Sequence, residues 1–332
     1  MNEAPNGQQS APAQKRDLLR EGIQIASPAL GISFIFLLTA LVQVILDMAV
    51  RRHAPALASA DWYGYLLSMV PMYVVAMPLS LLLFRLGRAE PPEEHPMRAS
   101  VFVGLLALCF GLTYAGNFVG QLVNSLLGAI RGAPISNPVA DMTASSPLWV
   151  NLLFVGILAP VMEEIFYRKL VIDRLRRYGD LPAILLSGIA FGLVHGNFSQ
   201  FFYAATLGCL FGYIYLNTGR IRYTIFLHMG INLVGGVYTS EMLKHLNLDL
   251  LLQDPARAIG ENLAGVVMFL AYAVFVVAVL IGSVIALILL CVRCRRPLRR
   301  AENPLRAGEW CRVLLCNPAI WLFLFFVLLL FL

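Results

Sequence analysis

Apolar positions in this chain come in long blocks; they neither alternate along strands nor form stripes at helical spacing. Windows of about 20 consecutive apolar residues are long enough to span a bilayer core. They fall near 29–50, 62–84, 99–130, 147–172, 181–196, 198–217, 222–240, 263–292 and 313–332. The pattern predicts an all-α, polytopic membrane protein with about eight to nine transmembrane helices. The fifth and sixth blocks are short and separated only by Gly196 and Asn197, so they are expected to form a helical hairpin that turns within the protein. Pro71 and Pro78 are expected to kink the second block, and Gly116-x-x-x-Gly120 permits close helix approach in the third.

Composition narrows the class. Hydrophobic residues make up 59% of the 332 and charged residues 13%, about half the roughly 25% of an ordinary soluble domain, which excludes a water-soluble globule. The net charge of +6 does not imply a nucleic-acid partner, because the Lys and Arg residues sit in short segments between apolar blocks. With the N-terminus cytoplasmic, all but Arg51, Arg52, Arg131, Lys244 and Arg257 of the 25 basic residues fall inside. That agrees with the positive-inside rule, and only the Arg51–Arg52 pair conflicts with it. A multi-pass protein of the cell membrane is expected, or of the endoplasmic reticulum membrane in a eukaryote. Residues 1–28 read as a polar tail, with no signal-peptide pattern, followed by an amphipathic surface helix over Gln14–Ile25. Residues 29–146 read as N-terminal transmembrane helices, and 241–332 as C-terminal ones with a basic cytoplasmic loop facing anionic lipid.

Ionisable residues inside apolar blocks are costly and need a compensating role. In this chain they concentrate in one region. The fourth block contains Pro160-Val-Met-Glu-Glu-Ile-Phe-Tyr-Arg168. Glu164 and Arg168 stand at i and i+4 in the order that favours a helical ion pair, whereas Glu163 points about 100° away and has no local counter-ion. The division suggests an ionised Glu164 and a desolvated Glu163 suited to act as a general base. Pro160 is expected to bend the helix and free the carbonyl of Gly156. In Phe191-Gly-Leu-Val-His195 and His228-Met-Gly-Ile-Asn232, each pair of side chains lies one turn apart on a helix face. By helical rise Glu163, His195 and Asn232 sit at a similar depth, roughly 20–22 Å from the cytoplasmic ends of their blocks.

Two carboxylates, two imidazoles and a carboxamide supply a base for water, an acid for a leaving amine and donors for an oxyanion, which is the inventory of a hydrolase. No Gly-x-Ser-x-Gly or His-Glu-x-x-His is present. Glu163, His195 and His228 would equally form a His₂Glu set for zinc with one open position, and spacing does not decide between direct and metal-assisted activation of water.

Glu-Glu-x-x-x-Arg at 163–168, Phe-x-x-x-His at 191–195 and His-x-x-x-Asn at 228–232, in that order on successive apolar helices, resemble the CAAX prenyl protease 2 and bacteriocin-processing family of intramembrane proteases. The resemblance covers residues 147–240 as the catalytic core. It implies that Glu163 with His195 activates the attacking water, that His228 and Asn232 stabilise the oxyanion, and that Glu164 and Arg168 support them, with Phe191 and Pro160 shaping the cavity. It implies a membrane-associated peptide or protein substrate, which in eukaryotic members is prenylated. Members are described both as metalloproteases and as metal-free glutamate proteases, so the resemblance leaves zinc open. The rival expectations are a non-catalytic immunity or scaffold member and a proton-coupled transporter, although inverted repeats are not visible. Cys291-x-x-Cys294 and Cys311-x₄-Cys316 flank the basic loop, but the second spacing is wrong for a tight zinc knuckle, and they are expected as isolated thiols.

Overall fold

The computed structural model describes residues 17–135, 137–293, 297–301 and 304–331. Every regular element among these residues is helical. Five helices are long and apolar enough to cross a membrane: Leu18–His53, Tyr63–Phe84, Ala99–Arg131, Leu148–Tyr178 and Pro255–Leu290. A sixth arises if Ala307–Leu315 and Pro318–Phe331, bent by 62°, are one span. The all-α multi-pass architecture follows the apolar blocks, but the expected count of eight to nine spans is not reached by this measure. The other expected blocks are helical but shorter or more polar. Asp180–Leu193 has 14 residues and Ile221–Asn232 has 12, while Phe198–Thr218 mixes Ser, Gln, Thr and Asn among its apolar residues.

The first helix differs from the sequence expectation. Asp17 caps it by accepting from the backbone N–H groups of Leu19 and Arg20. It then runs through Pro28 without the predicted break between a surface helix and a span. Proline removes one helical hydrogen bond, but the surrounding turns are buried from Gln24 to Ile35, and packing there outweighs the loss. Gln24 fastens this helix to the loop after Phe84 and to the end of the fourth span: its Nε2 donates to the carbonyls of Arg88 and Arg174, and its Oε1 accepts from the Arg88 N–H. Arg51, anomalous for topology, is paired with Asp47 at 2.8 Å. The polar tail before residue 17 lies outside the described residues. So does Cys294, and the paired-thiol pattern that needs it; Cys311 and Cys316 are exposed free thiols.

Prolines reset the helical register in the two spans that face each other. Around Pro71 the chain is π-helical over Val70–Ala76, and Pro78 sits in the first turn of Met77–Phe84. The span Leu148–Tyr178 alternates α and π segments, with π-helix over Asn151–Leu158 and Ile165–Ile172 on either side of Ala159–Glu164. At its start, Tyr65 donates to Asn151 Oδ1 at 2.7 Å, tying it to the second span.

Two apolar cores flank Phe198–Thr218. One joins the first, fourth and C-terminal helices to Ala204, Tyr215 and Leu216. The other joins Ala99–Arg131 and Ile221–Asn232 to Leu207, Phe211 and Ile214. Asp180–Leu193 and Phe198–Thr218 form the expected hairpin, with Gly196 at φ 65° in the turn. They approach so closely that a Cβ at Gly188 would strike Cys209, and one at Gly208 would meet the Gly188 backbone. Gly116 and Gly120 likewise press against the backbone of Tyr203 and Phe198. Asp180 Oδ2 accepts from the Arg299 N–H and the Asp180 N–H returns a bond to the Arg299 carbonyl, so the basic loop is clasped to the start of the hairpin.

Gly208→Val should overpack this crossing at a cost of about 1–3 kcal/mol, read as a lower thermal midpoint of the detergent-solubilised protein. An unchanged midpoint would show that the two helices do not need to touch.

Candidate active site

Glu164 and Arg168 are both fully buried, at 0% side-chain exposure. The guanidinium grips the carboxylate in two places, Nε to Oε2 at 2.8 Å and Nη2 to Oε1 at 3.0 Å. Its remaining nitrogen, Nη1, donates to the carbonyl of Gly208 at 3.2 Å and to Ser187 Oγ at 3.3 Å. The faces of the guanidinium lie over the rings of Phe191 and Phe211, 5.5 and 5.7 Å from their centroids. A planar cation with five donors suits such a pocket, where an ammonium would not. The close helix crossing at Gly188 and Gly208 is what lets a backbone carbonyl reach it.

His228 extends the cluster. Its Nδ1 lies 3.2 Å from Glu164 Oε1, and its Nε2 lies 3.8 Å from Glu163 Oε2. The imidazole therefore stands between the two adjacent acids. Glu164 is sealed from solvent, while the Glu163 side chain keeps 25% exposure. Helical phase separates their environments: one acid turns into the Arg168 pocket and the other toward open space.

Phe191 organises the imidazoles. Its buried ring meets His195 edge-on at 5.0 Å, His228 at 5.7 Å and Tyr167 at 5.0 Å. His195 follows the end of Asp180–Leu193 and places Nδ1 2.7 Å from the Phe191 carbonyl. A carbonyl only accepts, so Nδ1 carries the proton and Nε2 of the neutral ring is left as a basic nitrogen. Asn197, which caps Phe198–Thr218, also donates to the His195 carbonyl at 2.8 Å, fixing the turn that presents the ring.

Asn232 Nδ2 donates to the carbonyl of Val155 at 3.0 Å. This corrects the expectation that Pro160 frees Gly156. Because Asn151–Leu158 is π-helical, bonds there run from i to i−5, as Ala159 N–H to Phe154 shows. The next donor in that register is Pro160, which has none, so the orphan acceptor is Val155. The Asn232 amide retains a second N–H for another partner.

The six sequence-derived residues thus occupy one neighbourhood, with Phe191 among them and Pro160 behind Asn232. Sequence reasoning missed Phe211, whose ring lies 5.6 Å from His228 and stacks on Arg168, and Ser187 and Gly208, which complete the guanidinium shell. Small residues repeated on Asp180–Leu193 and Phe198–Thr218 are the signal that was available. As arranged, the donors do not make a metal site: among the described residues no three His, Cys, Asp or Glu side chains are grouped to hold an ion. His228 Nδ1 faces Glu164 and His195 Nδ1 faces a carbonyl, bonds that leave the Nε2 of each ring uncommitted.

Removing one member of a buried pair strands the other charge, at about 3–5 kcal/mol. Arg168→Ala should therefore lower the denaturation midpoint strongly, and Arg168→Lys should not restore it. A lysine variant as stable as the parent would contradict the bidentate, stacked geometry.

A family model described as type II CAAX prenyl endopeptidase Rce1-like matches residues 145–234. A curated Bacillus subtilis (strain 168) protein, "Putative membrane peptidase YdiL", is 30% identical over 95 residues, covering 28% of this chain and 38% of that protein. The match thus spans well under half of the relative's length. No solved structure matches the chain. The matched segment contains all six clustered residues and ends just past Asn232, and over residues 145–234 the chain is similar to the type II CAAX prenyl endopeptidase, Rce1-like family.

Proposed function

We propose that the chain is an intramembrane endopeptidase of the cell membrane, with its N-terminus cytoplasmic, that hydrolyses a peptide bond in a membrane-associated or lipidated substrate, prenylated substrates included. The observation that carries this reading is the unequal pair of acids. Glu164 is consumed by Arg168 and His228, while Glu163 is left partly open beside two imidazoles.

In the proposed reaction, water is held between the Glu163 carboxylate and the free Nε2 of His195. Glu163 takes a water proton as the oxygen bonds to the scissile carbon, and the carbonyl pair moves onto its oxygen. His228, protonated and oriented by Glu164, donates from Nε2 to that oxyanion, with the second N–H of Asn232 beside it. As the carbonyl reforms and the C–N bond breaks, Glu163 returns its proton to the leaving amine. The products are a new carboxyl terminus and a free amine. Low polarity around the site strengthens these donor contacts. Every group in the sequence is a side chain of this protein, so the mechanism requires no metal.

Glu163→Gln keeps the shape and removes the base, and loss of general base catalysis costs about 10²–10⁴-fold. Cleavage of a quenched fluorescent farnesylated peptide by the protein in liposomes should fall by that factor, and the wild-type rate should persist after dialysis against a chelator. Full activity in Glu163→Gln would overturn the proposal, and activity restored only by added zinc would overturn the metal-free mechanism.

A further inference from the structure

The last described helices do not continue straight. Ala307–Leu315 and Pro318–Phe331 meet at a bend of 62°, where Pro318 has no N–H to extend the first of them into the second. Asn317 pins the bend to the first span. Its Nδ2 donates to the Gly22 carbonyl at 3.0 Å, and its Oδ1 accepts from the Ala319 N–H at 3.1 Å. Between the two walls so joined lies an open groove of about 700 Å³, a size within the roughly 300–1,000 Å³ of small-ligand sites. Gly22 leaves room in one wall, since a Cβ there would meet nothing within 4 Å.

Ile23, Leu30, Val313 and Leu322 make the groove apolar, and Arg312 stands among them. The acids near it have other partners: Asp17 pairs with Arg20, Glu21 with Arg177 and Tyr178, and Glu309 accepts from the Arg306 N–H. Among the described residues no carboxylate is paired with Arg312, so the groove offers an exposed guanidinium beside an apolar floor. Trp310 and Trp321 lie on either side of the bend, as tryptophans do at the head-group level of a bilayer. A ligand that fits must carry an anionic group for the guanidinium and a hydrocarbon chain for the groove. Residues 1–16 do not supply it. They hold a single acid, Glu3, and no Leu, Ile, Val, Phe, Trp or Tyr, and they add the positive charges of Lys15 and Arg16 next to Asp17.

We propose that this groove is a binding site for an anionic phospholipid, with the phosphate on Arg312 and one acyl chain laid along the apolar wall between the first span and the bend. The planar donor fork of a guanidinium matches a phosphate, and basic pockets between membrane helices hold anionic head groups. None of the lining residues belongs to the catalytic cluster, so the site stands independently of the proposed peptidase activity.

Cys316 reports on the groove, because its exposed thiol lines it, whereas the exposed thiol of Cys311 does not. The test is the rate at which N-ethylmaleimide labels each thiol in the full-length protein, reconstituted into vesicles of phosphatidylcholine alone or mixed with phosphatidylglycerol. Phosphatidylglycerol should slow Cys316 about tenfold, the change that one charge-assisted hydrogen bond gives, and leave Cys311 unchanged. Arg312→Gln should remove that difference. So should Gly22→Leu, which fills the groove with a residue that favours the helix. Wild-type Cys316 reacting equally fast in both vesicles, a slowing shared by Cys311, or a slowing that survives in Arg312→Gln would each overturn the assignment. Wild-type Cys316 that is slow in both vesicles would overturn it too, since protein, from residues 1–16 or from a second copy of the chain, would then fill the groove.

Discussion

Burying Glu164 and Arg168 out of reach of solvent imposes the constraint from which the rest of the site follows. Desolvating two charges costs several kcal/mol per ion, and their attraction repays it only when the remaining donors and acceptors are also met. Nε and Nη2 are met within the helix, but Nη1 needs a carbonyl, and Gly208 supplies one only because Gly188 lets the two hairpin helices touch. Glu164 needs a further donor, and His228 fills that place. The faces of the guanidinium need covering, and Phe191 and Phe211 cover them. Once those demands are satisfied, both imidazoles are already set against the face where Glu163 emerges.

Departures from α-helical register do much of the remaining positioning. A π-helical turn before Pro160 makes Val155 the orphan acceptor, and Asn232 is held by that carbonyl across 77 residues of sequence. A second π-helical turn, Val70–Ala76, lies beside Pro71 and buries Tyr73. Proline thus acts here through the bond it cannot make. At Pro160 the missing N–H leaves a carbonyl that a membrane interior does not solvate, and the Asn232 side chain from another helix satisfies it.

Glu163 illustrates how adjacent positions acquire opposite characters. It shares a helix turn with Glu164, yet one is sealed and charge-paired and the other keeps 25% exposure. About 100° of helical rotation separates them, enough to place one in the Arg168 pocket and the other on the side of His228 Nε2.

The sequence by itself determined the all-α membrane class, the approximate positions of the long apolar helices, the hairpin at Gly196 and the Glu164–Arg168 pair. Those features are local: a bilayer demands contiguous apolar blocks, and an i,i+4 ion pair is fixed by helical geometry. Helical phase also separated Glu163 from Glu164 before any neighbour was known. Only the tertiary structure decided that Leu18–His53 runs unbroken through Pro28, that Val155 and not Gly156 is the freed carbonyl, and that Gly208 and His228 close around the Glu164–Arg168 pair. The Gly208, His228 and Asn232 bonds join residues 40, 64 and 77 positions apart. Partners at such separations are chosen by which helices pack together and how closely, and no spacing within one helix carries that information.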